Sequence, residues 1–311
     1  MRPKDEARGR ALGRALVRFA ANRHPLPGLS TEAHRDSFVE QIVESIRRVE
    51  YVHLIKRKVH DPLRADPTSG LFDPLLGAVV KKEAGEFDEA CWLTFLSVHC
   101  GKHVRYKWHL ARQLYGGLDG GIWTWARVSS NPAAYSRWIA RNEGRIRIGG
   151  VYGFGNHRKY ETLRPDAKRP TGAVVSSYVA WVVSHGNHEG LINHALAQSA
   201  RDRHRAFDYL YTTIDAVFGF GRMAKFDYLT MLGKLNLADI EPGIAYLSGA
   251  TGPLSGARLL FGGRANAGMS ARQLDRLVVD LGAHLNVGMQ VMEDAICNWQ
   301  KSPAQFRGFR G

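Results

Sequence analysis

Cysteine is scarce in this 311-residue chain: Cys91, Cys100 and Cys297 are its three. They have neither the number nor the spacing of a disulfide framework, which excludes a small stapled secreted scaffold and points to a reducing compartment. Long hydrophobic runs are missing as well. None approaches the roughly 20 apolar residues that span a bilayer, so no membrane partner is expected. The amino-terminal stretch MRPKDEARGRALGRALVRFAANRH is Arg- and Ala-rich like a transit peptide, but Asp5 and Glu6 argue against that and no apolar signal core follows. It reads as a basic helix at the start of a soluble, cytoplasmic protein. No internal repeat and no low-complexity segment is visible.

Acidic residues are also in short supply. Lys and Arg number 43 against 29 Asp and Glu, a formal charge of +14. The excess is concentrated in residues 101–170, where fourteen basic residues face four acidic ones. A belt of that kind favours a polyanion or a phosphorylated substrate. With 44% hydrophobic residues, seven Trp and thirteen Phe, the chain can bury a substantial core. Its length suits one large domain or two smaller ones.

The hydrophobic spacing is helical nearly throughout. Phe38, Ile42, Ile46 and Val49 mark one amphipathic helix over 37–52. Further helices are predicted over 86–100, 107–114, 132–142, 173–185, 202–218 and 223–236, with one long final helix from about Ser270 to Gln300. Asp61-Pro62, Asp66-Pro67 and Asp73-Pro74 read as turns. The expected class is mainly α and multi-helical. An extension over 1–34 precedes a helical catalytic region over 35–311, in which two lobes would meet near 145–173.

That segment, 145–173, is irregular, rich in Gly, Lys and Arg, and long enough to suggest function. At its centre Asn156, His157, Arg158, Lys159, Tyr160 and Glu161 form an unbroken row with no apolar stripe. Either this is a solvated surface loop or it grips an anion. A row this polar reads as surface, so substitutions within it are expected to leave stability almost unchanged. Arg222 with Lys225, and Arg258, are further basic clusters beside glycines or aromatics. On the final helix Asp294, Asn298 and Lys301 share a face, which suits a site or an exposed polar surface equally. In the 237–262 segment, Ile240-Glu241-Pro242-Gly243-Ile244-Ala245 resembles the hairpin of helix-hairpin-helix DNA-binding units. Thr251-Gly252-Pro253 reads as a helix start, whose free N–H groups form an anion seat. Gly243, Gly252, Ser255 and Gly256 are the DNA-phosphate candidates there.

Several chemistries drop out. His99, Cys100 and His103, like His185, His188 and His194, never complete a tetrahedral ligand set, so no structural zinc is expected. No GxSxG elbow is present, and the Gly-rich GFGNHR and GFGRMAKFD lie outside any βαβ unit.

Five segments carry a family likeness: FDEACWLTFLSVHCGKH, FGNHRKYETL, GFGRMAKFDYLTMLGKL, YLSGATGPLSGARLLFGG and EDAICNWQKSP. Over roughly residues 35–310 the chain resembles the α-glutamyl/putrescinyl thymine pyrophosphorylases, the third clade most closely. The resemblance implies a fold similar to the helical, helix-hairpin-helix DNA glycosylases, and a place in a bacterial or phage-infected cell. It also implies a transferase acting on DNA: an amine, from an amino acid or polyamine, displaces pyrophosphate from activated 5-hydroxymethyluracil, the base having been activated by an upstream kinase. A pyrophosphate leaving group needs fixed positive charge, for which Asn156, His157, Arg158, Lys159, Tyr160, Arg222, Lys225, Arg258 and Asn298 are candidates. The residues specify no cofactor, although Mg²⁺ would serve the same purpose as the arginines. The cationic amine must lose a proton, and Asp227, Glu161 and Asp294 are candidate bases. An extruded base would stack on Trp123, Trp125, Tyr152, Tyr160 or Trp299, with core packing as the competing role for each. Two other readings stay open: a helix-hairpin-helix glycosylase acting on modified bases, and a non-enzymatic DNA-binding protein.

Overall fold

A computed structural model describes residues 2–158 and 160–308. Among these are fourteen α-helices and no strand beyond three isolated bridges. The chain is thus mainly α and multi-helical, as its periodicity indicates. No helix among the described residues is long and apolar enough to cross a membrane. The described residues divide into two units, one formed by 2–52 with 242–308 and the other falling within 53–241.

The first unit begins with α1 (Glu6–Asn22), the basic amino-terminal helix, and α2 (Glu32–Ile55), near whose end the boundary falls. The second unit follows as α3 (Pro74–Glu83), α4 (Phe87–Cys100), α5 (His109–Gly116), α6 (Trp125–Ser130), α7 (Pro132–Ile146), α8 (Thr171–Val183), α9 (His188–Gln198), α10 (Arg203–Thr213) and α11 (Arg222–Lys234). The chain returns to the first unit with α12 (Gly252–Gly262), α13 (Ala271–Leu285) and α14 (Met289–Trp299).

Helix starts follow local chemistry. Asp73, Asn131, Asn187, Asp202 and Ser270 each accept a backbone N–H of the following first turn. Each such cap contributes about 1 kcal/mol. Asp73-Pro74, read as a turn, is the cap and first residue of α3, because proline loses nothing at a position whose N–H has no partner.

α4 is apolar on nearly all faces because it runs through the core of the second unit, with α3, α5, α6, α9 and α11 packed on it. Its Trp92 and Phe95 anchor an aromatic cluster in which the Phe95 and Tyr178 rings lie 3.8 Å apart. In the first unit Phe19, Phe38, Ile42, Leu260, Leu281, Met292 and Trp299 form the core.

Two expectations are corrected here. The final helix is broken: Asn286 adopts the left-handed conformation (φ 54°), ends α13, and is followed by Gly288 as the N-cap of α14. Asn tolerates that conformation better than most residues, and the apolar spacing on either side continues without revealing the bend. Nor does Pro242-Gly243 join two short helices. It lies in the irregular stretch 235–251 between α11 and α12, where the chain passes from one unit to the other.

Candidate active site

The second unit holds a polar constellation at the end of its most buried helix. α4 terminates at Gly101, whose φ of 65° suits glycine, and its last carbonyls lack helical partners. Loop 153–162 closes over this end. The Gly155 N–H donates to the Cys100 carbonyl at 2.9 Å. A Cβ on Gly101 would meet the Gly155 Cα at 3.2 Å and Arg158 Cγ at 3.3 Å, and one on Gly155 would meet the Gly101 carbonyl carbon at 3.0 Å. The two glycines therefore allow backbone to touch backbone.

That contact places Asn156–Arg158, a single 3₁₀ turn, against α4. Arg158 is buried, with 7% of its surface exposed. Its Nε donates to the Val98 carbonyl at 2.7 Å and its Nη2 to Asp227 Oδ2 on α11 at 2.7 Å. Arg158 thus caps the negative end of α4 and ties the loop to α11. This corrects the reading of the row as wholly surface: one member lies in the interior because its charge meets a helix terminus and a carboxylate there. Asn156, His157 and Tyr160 are exposed, and Lys159 lies outside the described residues.

The Glu161 N–H donates to the Arg158 carbonyl at 3.0 Å, which turns its side chain inward. Its Oε2 is buried and accepts no hydrogen bond. Burial holds this carboxyl above the usual Glu range, against the opposing pull of Arg158 and Arg169. Sequence spacing did not single out Arg169. It is exposed, and its aliphatic stem runs alongside Gly219, whose absent side chain leaves room for it.

Beneath the loop, the Thr171 hydroxyl donates to the Thr162 carbonyl at 2.9 Å and accepts from His99 Nε2 at 3.1 Å. The loop is thus fastened at α4 and again at the start of α8. Burial and the nearby Arg158 charge lower the His99 pKa to about 3, so it is neutral.

α11 presents the second basic cluster differently from the sequence expectation. Lys225 is buried, donates to Asp215 Oδ1 at 2.5 Å and lies 4.2 Å from the centre of the Tyr211 ring. Arg222 lies over the Phe226 ring at 4.9 Å. A separate buried chain, absent from the sequence reading, joins Asp88, His188, Tyr178 and Tyr228, with gaps of 2.5, 2.7 and 2.8 Å. Every member has a partner, and it fastens α4, α8, α9 and α11 together.

The remaining candidates belong to the first unit. Asp294 pairs with Arg48 and accepts from Ser45 at 2.6 Å, while Asn298 donates to Asp294 and accepts from Lys301 at 3.0 Å. Arg258 donates to the Met269 carbonyl at 3.3 Å. Pro253 sits in the first turn of α12 as expected, but the Thr251 side chain does not cap it. A Cβ on Gly252 would approach Cys297 Sγ to 2.9 Å, and one on Gly256 the Ile296 carbonyl to 2.5 Å. These glycines let α12 pack closely on α14, and Gly256 is buried there, not open to a phosphate. Ser255 and Gly243 are half-buried. Among the stacking candidates, Trp123, Trp125 and Trp299 are core residues, Tyr152 is half-buried and Tyr160 is 77% exposed.

Among the described residues no group of three or more His, Cys, Asp or Glu is placed to hold a metal ion. His99 and His188, two of the histidines with suggestive spacing, are committed to Thr171 and to Asp88 with Tyr178.

The geometry of the second unit is a buried arginine paired with a half-exposed aspartate, beside a carboxyl of raised pKa and under an exposed donor-rich turn. No curated protein and no solved structure matches the chain. The family description "Alpha-glutamyl/putrescinyl thymine pyrophosphorylase clade 3" matches residues 33–311, and the chain belongs to that family.

Proposed function

We propose that the protein transfers an amine to activated 5-hydroxymethyluracil in DNA, with Glu161 as the base that frees the amine for attack. The amine nitrogen bonds to the methylene carbon on C5 of the base, the carbon–oxygen bond to pyrophosphate breaks, and the leaving group departs with the electron pair. The proton lost from the ammonium passes to the Glu161 carboxylate. The observation that carries this reading is the family match over residues 33–311, together with a buried carboxyl at the loop that bears the row.

Glu161 suits the role better than Asp227 or Asp294. A base is most effective when its pKa approaches the working pH, and burial moves Glu161 in that direction. Asp227 and Asp294 are each engaged by an arginine. Asp227 with Arg158 is then a positioning pair that holds the loop. The exposed Asn156, His157 and Arg169 are the groups placed to meet pyrophosphate, and Mg²⁺ arriving with the substrate would share that charge.

The direct test is mass spectrometry of nucleosides from DNA bearing the pyrophosphorylated base after incubation with the protein and an amine pool. A new nucleoside carrying the amine is expected. Free base released instead would indicate a glycosylase, and unaltered DNA a binding protein. Glu161→Gln should lower single-turnover rates by about 10²–10³, in the range of a general base, and leave DNA affinity unchanged. Turnover within a factor of two of wild type would remove Glu161 from the mechanism.

DNA affinity should depend steeply on salt. Lys102, Arg105, Lys107, Arg127, Arg137, Arg141, Arg145 and Arg147 are all exposed. If about four phosphates are neutralised, the log–log slope should be steeper than about −3. Affinity that scarcely changed between low and moderate salt would eliminate the basic belt as the DNA-binding surface.

A further inference from the structure

Between Glu89 and Asp119 the chain contains no acidic residue, while Lys102, Arg105, Lys107 and Arg112 all stand there. Residues 102–108 form a turn that leaves the end of α4 directly after Gly101. It begins beside the candidate site, since a Cβ on Gly155 would meet the Lys102 nitrogen at 3.2 Å. The turn is fastened along its length. His103 and Lys107 exchange backbone hydrogen bonds at 3.0 and 2.9 Å, and His103 Nδ1 accepts the Arg105 and Tyr106 N–H groups at 3.2 and 3.0 Å. Lys107, at a φ of 51°, donates its Nζ to the Val104 carbonyl at 2.7 Å. The Tyr106 ring stacks on His103 at 4.9 Å, and its hydroxyl occupies the space that a side chain on Gly149 would need. At the far end, Trp108 Nε1 donates to Asp73 Oδ2 at 2.8 Å.

Val104 stands at the tip of this turn and is 56% exposed, with the exposed Lys102, Arg105 and Lys107 around it in the chain. A single exposed apolar residue is ordinary. This one is held outward by a backbone that is hydrogen-bonded on both sides, and a β-branched side chain has few rotamers of its own. A stiff apolar tip among cations is complementary to a nucleic-acid duplex, where cations take the phosphates and an apolar side chain can enter a base step. We propose that the 102–108 turn opens the duplex: Lys102, Arg105 and Lys107 hold phosphates, and Val104 inserts between bases next to the one that is extruded. The inference rests on the reading of the chain as acting on a base in DNA, because that base must leave the stack to be reached.

The readout is unstacking, which does not depend on turnover. The probe is duplex DNA carrying 2-aminopurine beside 5-hydroxymethyluracil, whose fluorescence reports loss of stacking while anisotropy reports affinity. Wild type should raise the fluorescence at saturation. Val104→Ala should lose most of that rise, with affinity changed by less than about tenfold because Val104 offers phosphate no charge. Val104→Phe, apolar and larger, should keep the rise. Lys102→Gln and Arg105→Gln should instead weaken binding and lower the salt slope by about 1 each, with the rise at saturation retained. The proposal is overturned if wild type does not bind the duplex, if it saturates the duplex without a rise, or if Val104→Ala gives the full rise. Unstacking that depends on Val104, without any amine-bearing nucleoside by mass spectrometry, would leave this inference standing and remove the transferase reading instead.

Discussion

Arg158→Ala should destabilise the second unit by about 3 kcal/mol, through loss of its buried charge-assisted hydrogen bonds and of the packing of its stem. For a unit of this size that corresponds to roughly 6–12 °C in Tm. The guanidinium is buried between the Val98 carbonyl and Asp227, so alanine leaves the end of α4 without its cap and loosens the loop. Asp227 is 44% exposed and can turn to water, which keeps the loss below that of a fully buried pair. Arg158→Lys should recover part of the stability, since an ammonium lacks the planar fork that meets both acceptors. Asp227→Asn should cost about 2 kcal/mol, because the buried guanidinium loses its counter-ion although the Asn carbonyl can still accept from it. Urea unfolding of the three variants decides the matter: an Arg158→Ala protein as stable as wild type would show that the loop does not depend on this anchor. Single-turnover rates then separate roles. If Asp227 only positions Arg158, Asp227→Asn should slow turnover about tenfold, against about 10²–10³ for Glu161→Gln. The reverse order would make Asp227 the base.

The second large effect is a loss of stability on acidification that can be traced to His99. Its pKa is about 3 in the folded chain and near 6.5 when unfolded. Between these values the unfolded state binds a proton that the folded state does not, so stability is fully present above about pH 6.5 and is lost as pH falls towards 3. From pH 7.5 to 5 this single group accounts for about 2 kcal/mol. His188, lowered by burial against the opposing effect of Asp88, adds in the same direction. Glu89 and Glu161, both raised by burial, act in the opposite sense. Their pull is cancelled by comparing wild type with His99→Gln, whose side chain does not titrate and still offers a donor to Thr171. Thermal unfolding of both across pH 5–7.5 should show wild type losing about 2 kcal/mol relative to the variant. Parallel pH profiles would mean that His99 is protonated at no cost in the fold.

The helical class, most helix positions, the basic belt and the segments that carry the family likeness were legible in the amino-acid order. All of these depend on neighbours within a few residues: apolar spacing at three and four, caps such as Asn131 and Asp202, and runs of like charge. The break at Asn286 was not legible, because apolar spacing continues on both sides and a left-handed residue leaves no mark in periodicity. Nor was the burial of Arg158 and Lys225. Arg158 stands in a polar run and Lys225 between Ala224 and Phe226, and only Asp227 with the end of α4 for the one, and Asp215 for the other, make an interior place for them. Gly252 and Gly256 pointed to an anion seat by their pattern, whereas contact with α14 shows them to be packing positions. Local amino-acid order is enough to dictate the helices, the excess positive charge and the donor-rich row at 154–163. Which of those donors are committed inside and which remain outside depends on contacts between distant segments, and the same contacts bury Glu161 Oε2 without a hydrogen bond. The reason is that a side chain's protonation and reach are set by what surrounds it in space, and those neighbours lie 60 and 69 residues away for Arg158.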